Sequence, residues 1–300
     1  MMKSLDYFKK INAKRILVQF PEGLRMEIQE IADYLKENGF EAVLSCESTY
    51  GACDLRDDEA ERLGCDALLH IGHADFGVKS KIPTVYWEYY YDIEPVKLIE
   101  KEYDKISKYN NFGLVTNVQF IHSLSKVKDF LEKKGKKVFM HKSLNYEGQI
   151  LGCNVDAAKQ IEEKVDCFLY VGSGNFYALG LDLEIKKPMY IFDFEKNMLR
   201  ELDSRKIRQK IEWNKSLLED AKKVGLLVTW KKGQMKDFWK IKENLKDKEI
   251  YILAFDEISP DKILGLKLDF LINCACPRIG IDDISKYKIP IINSSELDDI

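Results

Sequence analysis

Apolar and polar positions along the chain repeat one programme three times. Each round opens on a basic residue or a polar turn, runs through a short continuous apolar stretch, turns, and continues with apolar residues three and four apart. The first is Lys14-Arg15-Ile16-Leu17-Val18-Gln19-Phe20 followed by IQEIADYLKENG. The second is Phe112-Gly113-Leu114-Val115-Thr116 followed by SLSKVKDFLEKKGK. The third is Val224-Gly225-Leu226-Leu227-Val228-Thr229 followed by MKDFWKIKENLKDK. The short runs predict strands and the longer periodic ones helices. Gly39 and Gly135 stand where two of those helices should end in a left-handed cap.

The rounds then continue alike. EAVLSC, KVFMHK and EIYILAF predict second strands. DALLHIG, DCFLYVG and DFLINCA predict third strands, each behind an acidic residue (Asp66, Asp166, Asp269). PTVYWE, PMYIFDF and PIINSSE predict fourth strands, each opened by a proline (Pro83, Pro188, Pro290). Continuous apolar runs separated by helices imply parallel strands covered on both faces. The expectation is an α/β fold of three similar parallel-sheet domains related by a pseudo-threefold internal repeat, spanning 1–107, 108–213 and 214–300. The charged stretch from Glu195 to Lys223 reads as a solvated connecting helix.

Composition narrows the function. A net charge of −3 over 300 residues announces no basic surface for nucleic acid, although it leaves room for local basic patches. No stretch is apolar enough to span a bilayer, and MMKSLDYFKK has no apolar signal core, so the expected compartment is the cytoplasm. Seven cysteines in a reducing compartment are fillers, metal ligands or reactive thiols rather than a disulfide framework.

In open parallel sheets, ligands bind beyond the carboxyl ends of the strands. Cys53 (STYGAC) and Cys153 (QILGC) follow second strands and precede helix starts at Asp57-Asp58 and Asn154 to Asp156. Cys276 (NCACPR) follows a third strand and precedes Pro277. Each round thus offers one cysteine at a strand-to-helix junction, where the thiolate is favoured. Three domains about a shared centre would bring the three together there. Cys46, Cys65 and Cys167 read as buried core thiols. Spacing alone leaves Cys274 and Cys276 as alternatives. No CxxC pair or contiguous cluster motif is present.

The runs VQFPEGLR, STYGAC with DALLHIGH, VGSGNFYALGL, KKGQ and NCACPRIGIDD occur in this order and cover essentially the whole chain. Together they resemble the archaeal diphthamide-synthesis enzymes, the 2-(3-amino-3-carboxypropyl)histidine synthases. The resemblance implies a [4Fe–4S] cluster on Cys53, Cys153 and Cys276, so it selects Cys276 over Cys274. It implies S-adenosylmethionine as co-substrate, bound at an iron that lacks a protein ligand. It further implies radical transfer of a 3-amino-3-carboxypropyl group to C2 of a histidine of elongation factor 2, an external one-electron donor, and a homodimer. Two positions depart from the family pattern: Tyr177 stands where a His is expected, and Asp54 where many relatives carry a second Cys.

Further residues have two readings each. Gly172-Ser173-Gly174 suits either a ligand-cradling loop or a tight turn. Arg278 suits either the methionine carboxylate or a tie to Asp282 or Asp283. Gln234 either approaches the centre or starts a helix, and Glu22 and Arg25 are open to the same choice. The pairing of His70 and His73 suits either a metal site or, the favoured reading, a hydrogen-bonded structural pair, and His122 and His141 read as surface or helix-end residues. The aromatic run Tyr86, Trp87 and Tyr89–Tyr91 reads mostly as strand-end packing, though such residues also suit a dimer contact. Two competing functions remain: a quinolinate-synthase-like dehydratase using the open iron as a Lewis acid, and a structural or redox-sensing metal protein.

Overall fold

Three sheets share one strand order. The computed structural model describes residues 2–297; Met1 and residues 298–300, at the outer limits of the first and third expected domains, lie outside the described residues. Contacts divide the chain into two compact units. One runs to Tyr91 and takes in Lys231–Gly233; the other holds Asp92–Trp230 and the chain from Gln234. No helix among the described residues is long and apolar enough to cross a membrane.

In the first unit, helix α1 (Met2–Lys10) leads into β1 (Arg15–Gln19), α2 (Ile28–Glu37), β2 (Glu41–Ser45), α3 (Asp57–Arg62), β3 (Ala67–Ile71) and β4 (Thr84–Trp87). The sheet order is β2-β1-β3-β4, all parallel. Alternate residues of β1 serve different cores. Ile16 and Val18 pack with Ile28, Ile31 and Leu35 of α2, while Leu17 packs with Leu55, Ala60 and Leu68. Burial on both faces is why this strand reads as an unbroken apolar run.

The second unit begins with α4 (Pro95–Glu102), β5 (Asn111–Thr116), α5 (Ser123–Lys133), β6 (Lys137–Phe139), α6 (Asp156–Lys159), β7 (Cys167–Gly172), α7 (Phe176–Glu184), β8 (Met189–Asp193) and β9 (Met198–Glu201). It continues with α8 (Arg205–Asp220), β10 (Lys223–Thr229), α9 (Phe238–Asn244), β11 (Glu249–Phe255), β12 (Phe270–Asn273), α10 (Arg278–Ile281) and β13 (Ile291–Asn293). Its two sheets run β6-β5-β7-β8-β9 and β11-β10-β12-β13, parallel except for β9. Gly39 and Gly135 adopt φ of 88° and 78° just past α2 and α5, as capping requires.

The stretch from Glu195 to Lys223 is not one helix. Asn197, with φ of 50°, turns the chain so that β9 returns antiparallel along β8, and Leu199 becomes fully buried. Only from Arg205 does α8 begin, and Ile211, Asn214 and Leu218 form its buried stripe. Charge density masked both the strand and the helix's i, i+3, i+7 face.

The acidic residue and the proline of each round have a common structural use. Asp66 Oδ2 accepts the N–H groups of Lys14 and Arg15 at 2.7 and 2.8 Å. Asp166 Oδ2 accepts those of Asn110 and Asn111 at 3.0 and 2.8 Å. Asp269 Oδ2 accepts those of Lys222 and Lys223 at 3.0 and 2.8 Å. The carbonyls of Pro83, Pro188 and Pro290 accept from Leu68, Phe168 and Leu271, each at 2.9 Å. Bonds from two backbone N–H groups hold each of the three carboxyls below the usual carboxylate range. Asp166→Ala, which strips an acceptor from one exposed and one partly buried N–H group, should cost about 1 kcal/mol once exposure is allowed for. Urea unfolding of the variant against wild type measures it, and an unchanged midpoint would refute the pinning role.

Candidate functional site

In the first unit, Cys53 sits in the loop between β2 and α3, partly exposed. Its neighbours are fixed from two sides. From β1, the Gln19 amide donates to the Asp54 carbonyl and to Thr49 Oγ1 (3.3 Å), and its Oε1 accepts the Arg56 N–H (3.2 Å). From the segment after β10, Lys231 Nζ reaches Asp54 Oδ2 at 2.5 Å, Lys232 Nζ reaches Asp57 Oδ2 at 2.6 Å, and the Gly233 N–H donates to the Cys53 carbonyl at 3.0 Å. Asp54 and Asp57 are 1% and 0% exposed. Carboxylates that deep require partners, and the two lysines and Arg56 supply them.

His70 and His73 extend the Gln19 network. His70 Nδ1 lies 3.2 Å from Gln19 Oε1, and His70 Nε2 lies 3.0 Å from His73 Nδ1. Gln19 Oε1 can only accept, so the network assigns the His70 proton to Nδ1. His70 Nε2 is then the acceptor and His73 Nδ1 the donor. Burial holds His70 well below the ordinary histidine value, with the adjacent His73 ring adding to the effect, and brings His73 down to about 4. The two rings are hydrogen-bonded to each other, as the sequence reading expected, and burial favours their neutral form.

In the second unit, Cys153 and Cys276 come together. Burial pushes the Cys276 thiol up to about 11; the Arg278 N–H opposes this, and nearby Cys153 adds to it. Gly152, beside Cys153, is wedged against α7. A Cβ on Gly180 would stand 2.5 Å from the Gly152 carbonyl oxygen, and a Cβ on Gly152 would stand 2.3 Å from Phe176. Only two glycines permit this approach. Helix α10 packs on α7, and the Arg278 guanidinium lies 5.6 Å from the Phe176 ring centroid. Gly172-Ser173-Gly174 closes β7 and leads into α7, with Gly174 at φ of 75°. The Cys276 loop is tied by two asparagines at strand ends. Asn273 donates to the Cys276 carbonyl (2.8 Å) and to Asn293 Oδ1 (2.7 Å), and Asn293 donates to the Pro277 carbonyl (2.9 Å).

The remaining expectations divide. Arg278 Nε lies 3.6 Å from Asp282 Oδ2, a contact compatible with the loop-tie reading that leaves the carboxylate reading open. Gln234 does not start a helix, because Asp237 caps α9 by accepting the Lys240 N–H at 3.3 Å; Gln234 is a partly buried loop residue. Arg25 Nε donates to Glu22 at 2.8 Å on the exposed surface. Tyr177 stacks on Tyr170 with centroids 6.2 Å apart. Cys65, Cys167 and Cys274 are buried, Cys274 at 0% exposure. Cys46 is not: it lies one residue past the edge strand β2 and is exposed. Among the described residues no three His, Cys, Asp or Glu side chains surround a position for a single metal ion; a cluster, whose thiolates go to separate irons, makes a different demand.

A family model for diphthamide synthesis proteins matches residues 20–299. The chain belongs to the diphthamide synthesis protein family. It is 33% identical to 2-(3-amino-3-carboxypropyl)histidine synthase of Pyrococcus horikoshii across 98% of this chain and 87% of that protein. The synthase of that name from Methanocaldococcus jannaschii is 29% identical across 99% and 86%. Among solved structures, Dph2 from Pyrococcus horikoshii matches with a TM-score of 0.91 at 32% identity, covering 98% of this chain and 88% of that one. A second structure of that protein, with a 4Fe-4S cluster, matches with a TM-score of 0.91 at 31% identity, covering 99% and 88%.

For this family member, sequence reasoning missed Lys231 and Lys232 as partners of Asp54 and Asp57, the Gly152–Gly180 approach, and the Asn273–Asn293 tie. One signal was available. Asn273 and Asn293 are polar residues closing otherwise apolar strands, and a buried amide there requires a bonding task.

The histidine pair generates a pH dependence. Its folded pKa values lie below the unfolded value of about 6.5, so between about pH 4 and 6.5 the unfolded chain binds more protons. Stability therefore rises with pH through that window and levels off above it. Urea midpoints at about pH 5 should lie below those at about pH 7, and His73→Gln should shrink the difference. An equal difference in the variant would take the pair out of the account.

Proposed function

We propose that this chain is a 2-(3-amino-3-carboxypropyl)histidine synthase that carries a [4Fe–4S] cluster on Cys53, Cys153 and Cys276. The observation that carries the reading is the likeness, over 99% of the chain, to a family member whose structure contains a 4Fe-4S cluster. Local geometry supports it. Cys153 and Cys276 are neighbouring thiols on anchored loops, and burial that raises a thiol's pKa is offset when a metal takes the thiolate. Soft sulfur donors suit iron–sulfur chemistry.

When bound, the cluster supplies one electron to a sulfonium and an iron without protein ligand to seat the methionine moiety. The protein's part is placement. Arg278, Gln234 and the Gly172-Ser173-Gly174 loop hold S-adenosylmethionine, with Arg278 suited to a carboxylate and the loop's N–H groups to an anionic or polar edge. The S–Cγ bond of the methionine moiety breaks, methylthioadenosine leaves, and a C–C bond forms to C2 of a histidine imidazole in elongation factor 2. The adduct then loses one proton and returns one electron to the oxidised cluster, so that the transfer is redox-neutral overall; an external one-electron donor supplies the initial reduction. The chain works as a cytoplasmic homodimer of three-domain subunits, with boundaries near 107 and 213.

Anaerobic reconstitution with iron and sulfide, then dithionite and S-adenosylmethionine, should yield methylthioadenosine. A well-formed cluster that yields none would point instead to a dehydratase or a redox sensor. Replacing Cys53, Cys153 or Cys276 with Ala should abolish the cluster absorbance, whereas Cys274→Ala should retain it. Full absorbance in any of the first three would remove that residue from the ligand set.

A further inference from the structure

Two consecutive lysines and a glycine converge on the five residues that begin with Cys53. Lys231 bonds Asp54, Lys232 bonds Asp57, and the Gly233 N–H bonds the Cys53 carbonyl. A Cβ on Gly233 would stand 2.5 Å from Cys53 Cα and 2.6 Å from its Cβ, so the two backbones touch. Lys231 is 7% exposed and lies 6.0 Å from the Tyr50 ring centroid. A lysine kept this deep does not serve solubility; it is there for Asp54. With Gln19 holding the backbone of residues 54 and 56 from the other side, Cys53 has a fixed main chain while its side remains partly open. A metal ligand needs that combination, and partners behind the ligand set both its position and the charge the metal meets.

We propose that Lys231-Lys232-Gly233 is a positioning strap for Cys53, and that Lys231 also balances the carboxylate charge beside that thiol. Calling Cys53 a ligand rests on the proposed function; the hold of the strap on the loop does not. Lys231 and Gly233 are positioning residues. They act through the Cys53 backbone and the Asp54 carboxylate.

Two measurements test this. In metal-free protein, mass-spectrometric rates of iodoacetamide alkylation at each cysteine read the hold on the loop. Lys231→Met and Gly233→Ala should each speed alkylation of Cys53 on the order of tenfold while Cys153 and Cys276 keep their rates; Lys231→Arg should stay near wild type. An unchanged Cys53 rate in both variants, or a common rise at all cysteines from general unfolding, would overturn the strap. In reconstituted protein, Lys231→Met should move the midpoint potential more negative, because a positive charge near the electron's destination is gone, and Lys231→Arg should restore it. A potential unmoved by Lys231→Met would overturn the charge-balancing role. If the wild-type protein takes up no cluster, the functional reading fails, while the alkylation rates still decide the strap.

Discussion

At the head of each third strand a carboxylate accepts two N–H groups from the start of the first strand, and so fixes which residue faces which. Asp66, Asp166 and Asp269 do this with nearly the same distances in all three sheets. Because side chains alternate faces along a strand, a slip of one residue would exchange the two cores of a sheet. It would also carry the loops at the far strand ends out of place. Cys53, Cys153 and Cys276 all lie on such loops, so their placement depends on pins at the opposite end of each sheet.

Much of the fold was legible because parallel strands covered on both faces leave a plain trace: short, unbroken apolar runs. Asp66, Asp166 and Asp269, and the three prolines, recur at one position in the pattern, so they could be found before their purpose was known. Strand β9 was not legible. Its few apolar residues sit among charges, and its order comes from pairing with β8. The partners of charged residues were hidden for another reason. Lys231 and Asp54 lie 177 positions apart, and a sequence shows that a lysine is present without showing which carboxylate it meets.

The cysteines illustrate both sides. Cys274 and Cys276 are two residues apart, and an extended strand would turn both to one face. The strand stops at Asn273, the chain bends, and Cys274 is sealed among Val228, Ile272 and Ile292 while Cys276 lies near Cys153. Burial of that kind depends on where a strand ends, and end positions are poorly marked in sequence. Cys46 escaped for the same reason: one residue past the end of β2, a position that reads as core opens to solvent.

Contact between Gly152 and Gly180 is made by main-chain atoms, with no side chain between. Side chains hop among rotamers, whereas a carbonyl lodged against a helix has only small librations. Cys153 therefore inherits the stiffness of α7. Were Cys153 to hold a metal that changes valence, as proposed, such stiffness would keep the surrounding atoms nearly still as the electron arrived and departed, and so keep the reorganisation cost of the transfer low.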